Sequence, residues 1–365
     1  MPFVNDLIDH NRAAIQSDVE TTRAKASKTS RFLFEVDDAM RLLRSRIVGQ
    51  AEALDAMEAM LKVVKAGIGD PNRPLAVNLF MGPTGVGKTE IVRLLAQAIH
   101  GKPDAFCRVD MNTLAQEHYA AALTGAPPGY VGSKEGTTLF DIEAIQGSFS
   151  RPGIVLFDEL EKASREVVRS LLNVLETGQL TLSSGSKKID FRNTLVFMTS
   201  NIGAQDAWHY RSRFEGSWRR MLGLAPQHEN KVVEAALHKH FDLEFLNRID
   251  RILTFERIEG QWMQALLDIE LDKLNGRLAK QGRTLTLTDG ARRYLCADQD
   301  ARFGARDLAR RVRTRLEPAL AEKILAQPDI GAFEVGMDNH RLQVVPLPTV
   351  PNPGPQTPVN ANAKD

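Results

Sequence analysis

Eight consecutive residues, Gly82-Pro83-Thr84-Gly85-Val86-Gly87-Lys88-Thr89, carry the clearest chemistry in this sequence. Glycines at three of the eight positions let the backbone curl, so that successive N–H groups converge on phosphate oxygens. Lys88 is suited to reach the β- and γ-phosphates of a nucleotide, and Thr89 offers a hydroxyl to Mg²⁺. Further on, the apolar run Ile154-Val155-Leu156-Phe157 ends in two acids, Asp158 and Glu159. Asp158 suits Mg²⁺, directly or through water. Glu159 suits the polarisation of a water attacking the γ-phosphate. Thr199-Ser200-Asn201 closes another apolar run. Two readings of Asn201 stand: it orients the attacking water, or it is a turn or helix-capping asparagine.

These groups act together only if the fold brings them to one place. The octet follows the short apolar run Leu75 to Met81 and precedes a helical pattern, Ile91 to Ile99. Strand, glycine-rich turn and helix are the context a phosphate-binding loop needs. The helix N-terminus adds positive partial charge. Strands are predicted near Val77–Met81, Phe106–Asp110, Ile154–Asp158 and Thr194–Thr199, with helices near Thr89–His100, Leu139–Gln146 and Arg165–Glu176. Alternation of this kind predicts a parallel sheet covered by helices. In such a sheet the C-terminal strand ends crowd around the ligand.

Upstream, Ala51 to Ile68 reads as a helix, broken by Asp70-Pro71-Asn72-Arg73-Pro74. Residues 1–45 are mostly polar and read as a helical extension with a linker through Lys25 to Ser30. After Ile252 to Phe255 the pattern changes to helices at Trp262–Gln281, Asp289–Leu295 and Ala305–Leu325. A short strand is expected at Thr284–Leu287, and a β ribbon from Phe333–Val335 and Leu342–Val345. The expected organisation is a large α/β domain over 46–255, a smaller, mostly helical lid domain over 256–346 and a disordered tail over 347–365.

The 365 residues carry a formal net charge of +1, which gives no sign of a nucleic-acid or membrane surface. Two cysteines without metal-ligand spacing, Cys107 and Cys296, fit a reducing compartment. There is no signal-peptide pattern and no apolar run long enough to span a bilayer, so a cytoplasmic protein is expected.

From about Ile47 to Val345 the chain resembles the second ATPase module of the Clp unfoldases (ClpA, ClpB and ClpC type), which are AAA+ proteins. The matching stretches are Val48-Gly49-Gln50, Asp70 to Pro74, Gly82 to Glu90, Gly125 to Gly132, Phe157 to Lys162, Asp190 to Asn193, Met198 to Asn201, Phe245 to Asp250 and Gly304 to Arg306. The resemblance implies ATP and Mg²⁺ as ligands and an adenine pocket lined by Ile47 and Val48. It implies phosphate and Mg²⁺ binding by Lys88 and Thr89, a Walker B pair in Asp158 and Glu159, and a sensor 1 residue in Asn201. Arg248 matches the arginine finger that reaches a neighbouring subunit, and Arg306 matches the sensor 2 arginine of the small domain. A finger acting in trans implies an oligomer, and family members form hexameric rings.

Gly125-Ala126-Pro127-Pro128-Gly129-Tyr130-Val131-Gly132 reads as a glycine-rich loop carrying an aromatic residue. It is either a plain turn or a gripping element, since tyrosine offers contact area at low entropy cost. The resemblance matches Gly129, Tyr130, Val131 and Gly132 to the pore loop that holds a polypeptide. Leu222-Gly223-Leu224 is either a packing element or the docking tripeptide of peptidase-partnered relatives. Departures from the family pattern include Ala120-Ala121-Ala122, Ser183 to Lys188, and Phe241-Asp242-Leu243 without a proline. The expected function is ATP-driven unfolding or remodelling of protein substrates. Two alternatives are an ATPase dedicated to assembling or dismantling one partner complex, and the ATPase subunit of a peptidase complex. A nucleic-acid motor is disfavoured by the neutral charge and the aromatic loop.

Overall fold

The computed structural model describes residues 30–115, 140–181, 188–203, 229–258, 260, 262–297, 304–339 and 341–347. By internal contacts the chain divides into two compact units, the first ending at Arg257 and the second beginning at Ile258.

The first unit is built on five strands: β1 (Ala76–Met81), β2 (Cys107–Asp110), β3 (Gly153–Asp158), β6 (Thr194–Ser200) and β7 (Arg251–Thr254). Between β3 and β6 the chain makes a small antiparallel hairpin, β4 (Gln179–Thr181) with β5 (Lys188–Asp190), which the periodicity did not indicate. The main sheet is parallel throughout, in the order β2-β3-β6-β1-β7. The central strands β1, β3 and β6 are buried along their whole length, which is why they read as mostly apolar runs, with Asn78 as a buried polar residue within β1.

Among the described residues, seven α-helices belong to this unit: α1 (Val36–Arg46), α2 (Ala51–Ala66), α3 (Lys88–His100), α4 (Ile142–Gln146), α5 (Arg165–Thr177), α6 (Glu229–His240) and α7 (Leu243–Leu246). One face of the sheet packs Phe80, Leu156 and Phe197 against Leu43, Met57, Leu61, Ile91 and Leu95 from α1, α2 and α3. The other face packs Val155, Phe157 and Met198 against Leu171, Val174, Phe241 and Phe245. Gly67, at φ +67°, ends α2 by accepting the left-handed turn that stops a helix.

The described part of residues 1–45 packs against the first unit. Phe32, Phe34, Met40 and Leu43 are buried in the first unit's core. The ammonium of Lys65 donates to the carbonyls of Phe32 and Phe34, at 3.0 and 2.6 Å, and pins the extended entry to α1. The polar stretch just upstream masked this anchor, because two alternating aromatics are too short a pattern to stand out.

The second unit contains α8 (Trp262–Ala279), β8 (Thr284–Leu287), α9 (Asp289–Cys296), α10 (Gly304–Arg311), α11 (Glu317–Ala326), β9 (Ala332–Asp338) and β10 (Arg341–Pro346). The expected two-stranded ribbon gains a third member: β9 pairs antiparallel with β10 and parallel with β8. The single helix expected over Ala305–Leu325 carries a π-helical turn, Val312–Leu316, between α10 and α11. Asp307 is buried and ion-pairs with Arg310 and Arg311 at 2.7 and 2.9 Å. Arg311 also donates to the carbonyls of Leu295 and Ala297, which ties α10 to the end of α9.

Candidate nucleotide site

The C-terminal ends of β1, β3 and β6 lie side by side, and each delivers one part of the site. Beyond β1 the chain turns through Gly82, Gly85 and Gly87, with φ of +132°, +78° and +107°. A Cβ at Gly82 would sit 2.5 Å from the carbonyl oxygen of Phe255, so only glycine fits against the segment leaving β7. Gly87 then caps α3, and Ile47 Cδ1 lies 3.5 Å from where its Cβ would be. Ile47 is buried, and the half-buried Val48 follows it just before α2. Pro83, Thr84 and Gly85 are half-buried along the loop, while Val86 is buried beneath it.

Lys88 opens α3 and is 8% exposed. Its ammonium donates to Asn201 Oδ1 at 2.8 Å, to Pro83 O at 3.0 Å and to Ser200 O at 3.3 Å, and it also reaches Gly82 O. One cation thus joins the glycine-rich loop to the end of β6. Thr89, next on α3, is half-buried.

The two acids at the end of β3 are held by one threonine. The Thr199 hydroxyl donates to Asp158 Oδ1 and accepts the backbone N–H of Glu159 at 3.0 Å. Glu159 stands in the left-handed region, φ +59° and ψ +51°, a conformation few non-glycine residues adopt. Such backbone strain persists where neighbours over-determine it, and it concentrates at functional sites. Asp158 Oδ2 accepts two bonds from Arg108 of β2, from Nε at 3.1 Å and Nη2 at 2.6 Å. Asn201 Nδ2 donates to Glu161 Oε1 at 3.1 Å.

Among the expected site residues, the fold brings Gly82 to Thr89, Asp158, Glu159 and Asn201 together, with Ile47 against the loop. Arg248 lies elsewhere on the same unit. Its guanidinium pairs with Glu176 of α5 at 2.7 Å, and its backbone carbonyl accepts Nη2 of Arg73 at 2.9 Å. Arg306 is exposed on α10 of the second unit. Gly129, Tyr130, Val131 and Gly132, and Leu222, Gly223 and Leu224, lie outside the described residues.

Sequence reasoning gave no role to Arg108, Glu161 or Glu176. Arg108 had one faint signal: on edge strand β2 the order buried, exposed, buried, exposed turns Arg108 and Asp110 away from the core. Gln50, 4% exposed, stands out in the sequence only as part of a matching motif. Its side-chain amide bonds both backbone groups of Glu256: Nε2 donates to the carbonyl at 2.8 Å, and Oε1 accepts the N–H at 3.0 Å.

The residues present fit a nucleoside triphosphate with a divalent cation. The glycine-rich turn leaves room that a side chain would fill, a buried ammonium stands within it, and two acids end β3, separated from β1 by β6 alone.

Residues 73–252 match the family described as "AAA domain (Cdc48 subfamily)". Residues 259–332 match the "C-terminal, D2-small domain, of ClpB protein". An "ATP-dependent protease ATP-binding subunit-like protein AmiB" from Pseudomonas aeruginosa is 49% identical over 94% of this chain and 100% of its own length. The chain belongs to the Clp family of AAA+ ATPases. A second relative of this Clp-family ATPase, an "ATP-dependent protease ATP-binding subunit-like protein" from Rhodococcus erythropolis, is 43% identical over 91% of this chain and 94% of its own. The "ATP-dependent Clp protease ATP-binding subunit ClpC" of Staphylococcus saprophyticus is 37% identical over 81% of this chain. That match covers 36% of ClpC, so the chain corresponds to about a third of that protein. Membership makes the chain a nucleotide-binding ATPase. Among the described residues no helix is long and apolar enough to cross a membrane.

Proposed function

We propose that this chain is a ring-forming, ATP-driven protein remodeller that grips polypeptide with Tyr130 and draws it through a central pore. The observation that most supports this is the junction at the strand ends, where Lys88 meets Asn201 at 2.8 Å beside an acid pair locked by Thr199. That junction joins a phosphate-binding loop, a general base and a sensing amide, the parts needed to couple hydrolysis to movement.

Bound ATP and Mg²⁺ would supply the transferable phosphoryl group and neutralise its charge. Lys88 and the backbone of Gly82 to Gly87 would hold the phosphates, Thr89 and Asp158 the cation, and Ile47 and Val48 the base. Glu159 acts as general base on the attacking water. Its left-handed backbone and the bond from its N–H to Thr199 fix where the carboxylate starts. Asn201 reports on the γ-phosphate through its amide. Arg248 reaches the nucleotide of the adjoining subunit, a contribution worth roughly 10³ to 10⁵ in rate. Arg306 serves as the sensor 2 arginine that the family resemblance implies. A hexamer working on protein substrates in the cytosol is the assembly this reading takes from the family resemblance.

The test is Glu159→Gln. The variant is expected to bind ATP and assemble while hydrolysing at most about a hundredth as fast, from loss of the base. Turnover at the wild-type rate would refute the assignment. Tyr130→Ala is expected to hydrolyse ATP yet leave a tagged protein substrate folded.

A second reading, service as the ATPase subunit of a peptidase complex, is favoured by the relatives' printed names. Leu222-Gly223-Leu224 is then the docking element. Co-sedimentation with a barrel-shaped peptidase, abolished by changing Leu222 and Leu224 to alanine, is the outcome this reading requires.

A further inference from the structure

We infer that Glu161 is a positioning residue for Asn201, fixing which end of its amide faces the reacting phosphate; this rests on the sensing role proposed above for Asn201. A primary amide can turn over, exchanging an acceptor for two donors, and the two orientations are nearly equal in shape. Here both ends are specified. Lys88 carries only donors, so the atom it meets at 2.8 Å must be the amide oxygen. An ionised carboxylate carries only acceptors, so the atom that meets Glu161 Oε1 at 3.1 Å must be the amide nitrogen. That nitrogen has two hydrogens. Glu161 takes one, and the second stays available for an oxygen of the γ-phosphate or of the attacking water.

The carboxylate is itself held in place. Glu161 lies in the short helical turn Leu160–Lys162, directly after the strained Glu159. Leu160 is fully buried and anchors that turn. The turn closes with Lys162 N donating to Glu159 O at 2.9 Å and Ala163 N donating to Leu160 O at 3.1 Å. The Glu161 carbonyl meets His240 Nε2 at 3.2 Å, so the end of α6 braces it from outside. The second carboxylate oxygen, Oε2, is buried and has no hydrogen-bond partner among the described residues. Burying an acceptor without a partner is costly. An apolar side chain would avoid that cost, so the acid is better explained by the bond from Oε1 to Asn201 than by packing. Glu159 serves the water, whereas Glu161, two residues later, serves the group that senses what the water attacks.

The experiment is a mutant cycle on the full chain, using Asn201→Ala, Glu161→Ala, their combination, and Glu161→Gln. Two quantities are read: steady-state ATP hydrolysis, and the affinity ratio between the γ-thio analogue of ATP and ADP, from fluorescence anisotropy of labelled nucleotides. Loss of one hydrogen bond to a charged group predicts about a tenfold fall in kcat for Glu161→Ala, with KM within about twofold. The analogue-to-ADP ratio is expected to fall in the same variant. Glu161→Gln keeps an acceptor at the same reach and should restore both readings to within about threefold. In the Asn201→Ala background, Glu161→Ala should add no further loss. Normal turnover by Asn201→Ala would overturn the sensing role and this inference with it. A defect in Asn201→Ala with an additive further loss from Glu161→Ala would overturn the positioning role alone, as would an unchanged nucleotide ratio in Glu161→Ala. Retained ADP binding by each variant separates all of these outcomes from misfolding.

Discussion

Replacing Gln50 by alanine is expected to destabilise the first unit by about 3 kcal/mol, although Gln50 touches neither acid nor the phosphate-binding lysine. Its amide makes two hydrogen bonds, at 2.8 and 3.0 Å, to the backbone of a residue 206 positions away. Each bond contributes about 1 kcal/mol net, and leaving a part-buried N–H and C=O unpaired adds about 1 kcal/mol or more. The Glu256 backbone follows Phe255, whose N–H bonds Met81 O at 2.7 Å and whose carbonyl crowds Gly82. The loss therefore loosens the wall behind the phosphate-binding loop. In a folding unit of this size, about 3 kcal/mol lowers the melting temperature by roughly 6 to 12 °C. The assay is thermal unfolding followed by circular dichroism, with and without saturating ADP. Gln50→Glu is the sharper variant. It keeps the acceptor for the Glu256 N–H but turns a carboxylate toward the Glu256 carbonyl. Burial raises that carboxyl's folded-state pKa above its unfolded value, so the unfolded chain ionises first as pH rises. The deficit should then grow from pH 5 to pH 7.5. A melting shift below about 2 °C for Gln50→Ala, or a pH-independent deficit for Gln50→Glu, would refute the two-bond account.

Gly82→Ala would drive a methyl group into the Phe255 carbonyl at 2.5 Å from a backbone already at φ +132°. Nucleotide affinity measured by calorimetry is expected to fall at least about a hundredfold, since relief requires moving backbone rather than a side chain. Arg108→Ala frees Asp158 Oδ2 from a pair whose arginine side chain is 56% exposed. A pair so exposed is worth about 1 kcal/mol, so the Mg²⁺ concentration giving half-maximal nucleotide binding should fall about fivefold. An unchanged or higher midpoint would show that Arg108 does not compete for the acid. Burial lowers the pKa of His100, with Arg151 adding to the effect. The unfolded chain therefore takes up a proton first as pH falls through about 6.5, and the stability present above that value is lost below it. His100→Gln should lose less melting temperature than the wild type between pH 7.5 and 5.5, and equal losses would exclude this histidine as a source of acid sensitivity.

The strands and the phosphate-binding loop were legible because their determinants are contiguous. Buried parallel strands are mostly apolar runs, and the loop's glycines, lysine and threonine fall within eight successive positions. Asp158, Glu159 and Asn201 were legible because each ends such a run. What surrounds them was not, because the partners are distant in sequence. Arg108 reaches Asp158 across 50 positions, and Arg248 reaches Glu176 across 72. A single glutamate or arginine on a helix carries no local mark of its partner. The same limit hid the packing of Phe32 and Phe34, whose burial depends on Lys65 satisfying carbonyls 31 and 33 residues away. The third strand of the small sheet was missed for a related reason: Thr284–Leu287 was recognised as a strand, but its parallel pairing with Ala332–Asp338 depends on the helices packed between them in sequence.

The hydroxyl of Thr199 has one hydrogen, already committed to Asp158, and one of its two lone pairs accepts the Glu159 amide N–H. The carboxylate of Asp158 and the main chain of Glu159 are consequently tied together, and a shift in one is felt by the other through a single oxygen. Serine is the one exchange that preserves this coupling. Valine, its equal in shape, would fill the same space while removing the partner that the Asp158 carboxylate and the Glu159 N–H share.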